Sequence, residues 1–142
     1  MTEKETSTTE SRKLPVIVGV TGASGIVYAQ KLVQHLLKSE HRVLLAMSSA
    51  ARLVIKQELP AEAGTDPWGD VNRELLELIP EKDFNAPCCS GTVRFQGRGV
   101  VPASMGTVGS LARGVNINVI HRGADVQIPW TCLLYTSPSP RD

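Results

Sequence analysis

Three features predict an α/β domain built on a parallel sheet. Short apolar, β-branched runs alternate with stretches of helical spacing. The early runs end in small polar loops that lead into helices. The composition, 42% hydrophobic and 20% charged over 142 residues, is that of one globular domain. A domain of this size buries roughly two thirds of its unfolded surface and needs no disulfide or metal to hold a core.

Leu14 to Val20 (LPVIVGV) reads as a buried first strand. It ends in Thr21-Gly22-Ala23-Ser24-Gly25. From Ile26 to Ser39 the apolar residues fall at 26, 29, 32, 33, 36 and 37, which is helical spacing. His41 to Met47 is a second strand, after which Ser48 or Ser49 can cap a helix running through Gln57. Pro60 to Gly69, with two prolines and two glycines, is a loop. Val71 to Ile79 reads as a short helix with Leu75, Leu76 and Ile79 on one side. Asp83 to Gly91 is irregular, and Gly99 to Pro102 ends a third strand. Ser104 to Arg113 is a helix that Gly114 can terminate. Asp125 to Ile128 reads as the start of a fourth strand. Ligands of such sheets sit beyond the carboxyl ends of the strands. That rule gathers Thr21–Gly25, Ser48–Ser49 and Ala103–Thr107 on one rim.

Several functions are excluded. A net charge of +1 gives no electrostatic case for nucleic acid or an anionic membrane. No apolar run approaches the ~20 residues of a membrane span. The three cysteines, Cys88, Cys89 and Cys132, lack the C-x-x-C spacing of zinc and thioredoxin sites. No metal is expected. Two neighbouring cysteines in an odd count suit a reducing compartment, and the Ser/Thr-rich segment 1–13, with its mixed charges, resembles no targeting leader. The expectation is a disordered tail and a cytoplasmic protein.

The first loop suits a phosphate, because glycines admit a close ligand and a helix start offers free N–H groups. It has no Gly-Lys-Ser/Thr, so it is not an ATP-binding P-loop. Its glycines at 19, 22 and 25 do not spell G-x-G-x-x-G. Ala46-Met47-Ser48 brings no acid to a ribose, and Tyr28 is followed by Lys31 rather than by a Tyr-x-x-x-Lys pair. Nicotinamide chemistry is therefore disfavoured. Ser48 can be a plain cap or hold a flavin ribityl phosphate. Pro102 to Thr107 is a second small polar loop opening a helix. Cys88 and Cys89 read as buried small hydrophobes, with no histidine near them in sequence. Glu58 is a candidate acid/base, His35 and His41 are surface residues, and His121 sits at the ligand rim. Arg122 can pair with a phosphate or with Asp125.

Taken together, these residues resemble the UbiX-type flavin prenyltransferases, within the flavodoxin-like (Rossmann-like) group of FMN-binding cysteine decarboxylases. The resemblance runs from about Leu14 to about Val126. It rests on VGVTGASG at 18–25 with Tyr28, SSAARLVIKQE at 48–58, APCCSGT at 86–92, VPASMGT at 101–107 and NVIHRGADV at 118–126. It implies transfer of a dimethylallyl group from dimethylallyl monophosphate to reduced FMN, giving the prenylated FMN used by UbiD-type decarboxylases. It also implies a homo-oligomer, dodecameric in that family. Gly22, Ala23 and Ser24 would contact FMN, with Ser24 at the reacting edge. Ser48 and the stretch Ser104, Met105, Gly106 and Thr107 would hold the ribityl phosphate. Glu58 falls on an acidic catalytic position, Ser90 and Gly91 in the substrate loop, and Arg122 on a substrate-binding arginine.

The sequence departs from that family at Ala103, where cysteine is usual, at Ile117 in place of aspartate, at Gly123 in place of alanine, and over Gln127 to Trp130. Pro102-Ala103-Ser104 drifts toward the phosphopantothenoylcysteine-type decarboxylases, but the catalytic histidine of that chemistry is missing from Glu81 to Val100. A non-catalytic flavin-binding module is the other alternative. The last residues, Cys132 to Asp142 (CLLYTSPSPRD), match in order the translation of a transposon-end sequencing adapter. The expectation is therefore a flavoprotein domain over residues 14–131, incomplete at its C-terminus. As written, it would lack the cationic clamp for the substrate phosphate and would not turn over.

Overall fold

A computed structural model describes residues 13–60 and 66–131. The expectations for residues 1–12, 61–65 and 132–142 lie outside these. Four strands form one parallel sheet in the order β3-β2-β1-β4. They are β1 (Val16–Val20), β2 (Val43–Met47), β3 (Leu76–Ile79) and β4 (Gly97–Val100). The helices are α1 (Ile26–Lys38), α2 (Ser49–Glu58), α3 (Met105–Arg113) and α4 (Val119–Thr131). The first, second and third strands of the sequence reading are β1, β2 and β4, and they are adjacent and parallel as expected.

Alternation along the strands makes two cores. Val18 and Val20 of β1, with Val43 and Leu45 of β2, face Ile26, Ala29, Val33 and Leu37 of α1 and Ala51 and Ile55 of α2. Ile17, Leu44, Ala46 and Ile79 face the other way, toward Val119 and Ile120 of α4 and the Cys88–Cys89 turn. Strands buried on both faces are the reason these runs are continuously apolar.

Two expectations are corrected. Val71 to Ile79 is not a helix. A 3-10 turn at Arg73–Leu75, capped by Asn72, leads into edge strand β3. Leu76 pairs with Val43 and Ile79 with Ala46, so ladder bonds to β2 override the helical spacing of Leu75, Leu76 and Ile79. Asp125 to Ile128 does not begin a strand but lies within α4. Asn118 starts that helix, its side-chain oxygen accepting the His121 N–H at 3.0 Å. Val119, Ile120 and Ala124 then bury one helical face. Ser48 caps α2 and Gly114 ends α3 in the left-handed conformation, as expected, while Ser104, read as the first residue of α3, is its N-cap.

Candidate functional site

The three rim loops do meet beyond the carboxyl ends of β1, β2 and β4. Thr21, buried at the end of β1, ties two of them together. Its hydroxyl donates to the Pro102 carbonyl at 2.6 Å and accepts the Ser104 N–H at 2.8 Å. The Thr21 N–H also reaches the Pro102 carbonyl at 3.2 Å. A single hydroxyl thus fixes where α3 begins relative to β1. Sequence reading passed over this role, and a hydroxyl at the last position before a glycine turn was its only local signal.

Ser24 and Glu58, far apart in sequence, come together. The Glu58 carboxylate accepts the N–H groups of Gly25 and Ile26, both at 3.0 Å, and the Ser24 hydroxyl. That bond with Ser24, and then the two amides, hold the exposed carboxyl below its ordinary value. The start of α1 is therefore already occupied by an anion. Because the folded state favours ionised Glu58, its contribution to stability is complete above the ordinary carboxylate range. That contribution drains away as pH falls through the lowered folded value. In Glu58→Gln, the acid-side fall of the urea midpoint should be shallower than in the parent. Superimposable pH profiles would remove this role.

The start of α2 is similarly taken. Ser48 Oγ accepts the Ala51 N–H at 3.1 Å, and Glu81 accepts the Ser49 N–H at 3.0 Å. Ser48 is nearly buried and keeps its hydroxyl hydrogen as a donor. Glu81, in the segment after β3, was not singled out by the sequence.

The start of α3 differs. Ser104 Oγ accepts the Thr107 N–H at 3.2 Å and lies 2.9 Å from Thr107 Oγ1. The Val108 N–H returns to the Ser104 carbonyl at 3.0 Å. The Met105 and Gly106 amides have no partner among the described residues, and both residues are exposed. A side chain placed on Gly106 would meet nothing closer than Ser104 Oγ at 3.9 Å, so the space is open. Two outward N–H groups, two hydroxyls and a helix start form a cradle of the kind that suits a phosphate.

Ser90 and Gly91 follow the 3-10 turn Pro87–Cys89, with Ser90 Oγ 2.9 Å from Thr92 Oγ1. Arg122 lies in the first turn of α4, and its charge slightly lowers the pKa of the Cys89 thiol. Its guanidinium stands 3.6 Å from Asp125, and both side chains are partly exposed. Such a pair is weakly held and leaves the arginine able to exchange partners. Cys88 and Cys89 are buried as expected, and burial pushes the Cys89 thiol up to about 11. His121 is buried, its Nδ1 accepting the Ile117 N–H at 3.3 Å, and burial lowers its pKa. Among the described residues no cluster of three or more histidine, cysteine or acidic side chains could hold a metal. No helix of the described residues is long and apolar enough to cross a membrane.

Known proteins are similar to this chain in sequence and fold. A protein named flavin prenyltransferase UbiX, from Alkalihalophilus pseudofirmus, is 38% identical over 118 residues, covering 78% of this chain and 58% of its own length. The solved structure of AnUbiX (PadA1), in complex with FMN and dimethylallyl pyrophosphate, superposes with a TM-score of 0.71 at 30% identity. It covers 83% of this chain and 60% of that one. A dodecameric FMN-dependent UbiX-like decarboxylase from Escherichia coli O157:H7 gives 0.70 at 29% identity, covering 82% and 61%. The chain spans less than two thirds of the length of each of these relatives. The pattern of the Flavoprotein family matches residues 4–131, which takes in the sheet and every rim loop described above, and the chain belongs to that family.

Proposed function

We propose that these residues form the FMN-binding part of a flavin prenyltransferase, which joins a dimethylallyl group from dimethylallyl monophosphate to reduced FMN. One observation carries the placement of the cofactor. Of the three helix starts at the rim, α1 and α2 already hold the carboxylates of Glu58 and Glu81, whereas α3 holds no carboxylate among the described residues and offers two consecutive unpartnered amides. A dianionic phosphate is repelled from the first two and attracted to the third. The FMN phosphate is therefore assigned to Ser104, Met105, Gly106 and Thr107, with the Ser48 hydroxyl as a further donor. The isoalloxazine edge is assigned to Gly22, Ala23 and Ser24.

Reduced FMN, when bound, supplies the nucleophilic ring atoms that accept the dimethylallyl group. The residues do the rest. Ser24 stands beside Glu58, which takes up its hydroxyl hydrogen and leaves the hydroxyl oxygen as an acceptor. It can therefore accept a hydrogen bond or a proton at the flavin edge. The Ser90–Gly91 loop and Arg122 are assigned to the substrate phosphate, for which a guanidinium gives a charge-assisted partner. The prenylated product suits a UbiD-type decarboxylase as acceptor.

Met105, Val108, Val115 and Ile117 are exposed on and beyond α3, which supports assembly with further copies. Two buried free thiols agree with a cytoplasmic setting.

The test supplies reduced FMN and dimethylallyl monophosphate, both to this chain and to a chain extended to the length of its relatives. Flavin heavier by one five-carbon unit in the extended chain is the expected result. Unchanged flavin would leave only a binding module. In that extended chain, Ser24→Ala should lower prenylation about a hundredfold while FMN affinity changes by less than about threefold. A collapse of affinity with turnover per bound flavin intact would reverse the assignment.

A further inference from the structure

Arg98, in β4, is a half-buried cation without a carboxylate partner among the described residues. It points to the α4 side of the sheet, beside Ile17, its register partner. Burial lowers its guanidinium to about 10. Its Nε is buried and has no partner among the described residues. Burying such a charge is costly unless its hydrogen bonds do something specific. Two contacts show what holds it. Nη2 donates to the Cys88 carbonyl at 3.1 Å, in the middle of the Pro87–Cys89 turn. The guanidinium also lies 6.0 Å from the centre of the Phe95 ring.

Gly123 of α4 makes room for this arrangement. A Cβ at Gly123 would run into the Arg98 guanidinium and come within 3.0 Å of the Cys88 carbonyl oxygen. An arginine on β4, a glycine on α4 and a carbonyl in the turn therefore share one gap. Remove the glycine and the arginine must leave; remove the arginine and the turn loses its tether to the sheet. The turn runs directly into Ser90 and Gly91.

We propose that Arg98 is a positioning residue that pins the Pro87–Cys89 turn to the sheet through the gap at Gly123 and thereby sets the Ser90–Gly91 loop for substrate. The second half of this rests on the prenyltransferase reading, because it takes that loop as the seat of the substrate phosphate.

Amide exchange tests the tether without any activity. The Cys89 and Ser90 N–H groups bond to the Ala86 and Pro87 carbonyls at 2.9 and 3.1 Å and report on the turn. In the FMN-loaded protein, Arg98→Met should speed exchange at both about tenfold. Val18 and Leu45, in the opposite core, should keep their rates. Gly123→Ala should do the same by evicting the arginine, and the double variant should be no faster than either single one, because one contact is lost in all three. Arg98→Lys should restore part of the protection. Unchanged exchange at Cys89 and Ser90 would overturn the proposal, as would a rise shared equally by Val18 and Leu45.

Calorimetry with dimethylallyl monophosphate then tests the substrate half. Arg98→Met should weaken its binding about tenfold and leave FMN affinity unchanged. Equal weakening of both ligands, or of neither, overturns the positioning role. If the parent extended chain binds FMN but not dimethylallyl monophosphate, the prenyltransferase reading fails, and the tether is decided by the exchange rates alone.

Discussion

Gly22→Ala should be among the most destabilising single changes in this chain, costing about 3 kcal/mol and lowering the melting temperature by roughly 10 °C. The loop after β1 passes directly against the first turn of α2. A Cβ at Gly22 would lie 2.5 Å from Ala50 Cβ and 3.1 Å from the Ala50 carbonyl carbon. The obstacle is backbone and the stub of a side chain, so no rotamer change relieves it. Either α2 withdraws from the sheet or the loop lifts off it. Withdrawal would strip Ala51 and Ile55 from the core they share with Val18 and Val20. Lifting would carry Ser24 away from Glu58 and Thr21 away from Pro102. Gly109→Ala is the control. It sits in α3 with nothing within 4 Å of its added carbon, and helix propensity alone should make that change neutral or stabilising by about 0.5–1 kcal/mol. Paired urea melts decide: equal midpoints for the two variants would mean that α2 does not pack as closely as described.

Much of this architecture was legible because it is local. The strands β1, β2 and β4 are bounded by their own turn residues, and the caps Ser48, Ser104 and Gly114 announce helix ends within a few residues of where they act. The same locality explains the errors. Leu75, Leu76 and Ile79 fit a helix as well as a strand, and only the ladder with β2, some thirty residues away, decides between them. Val126 and Ile128 alternate like strand residues, but the buried face of that segment is set upstream by Asn118, Val119 and Ile120.

The site divides in the same way. Ser24, Glu58 and Ser104 are recognisable from the motifs that carry them, whereas the contact of Glu58 with the start of α1 spans 33 positions and has no local trace. Arg98 stood unremarked between two glycines, where a charged residue looks like a surface one. Its burial depends on an absent side chain at Gly123, and the family departure noted there in the sequence was the only visible sign.

The other large effect is expected at the start of α3. Ser104→Asp should weaken FMN binding by about a hundredfold or more. Aspartate is as good an N-cap as serine, so it can accept the Thr107 N–H and leave the helix intact. What it adds is a negative charge beside the proposed phosphate. At a separation of ~5 Å and an effective dielectric of ~20, one pair of like charges costs about 3 kcal/mol, and each 1.4 kcal/mol is tenfold in affinity. Part of the loss should be recovered at high salt, which screens the repulsion. Ser104→Asn separates charge from geometry, since asparagine caps the helix equally well and carries no charge. Its FMN affinity should stay within about threefold of the parent. The three proteins are compared by flavin titration at low and high ionic strength. If Asp and Asn variants bind FMN alike, the phosphate does not lie on α3, and the carboxylates of Glu58 and Glu81 do not decide where the anion binds.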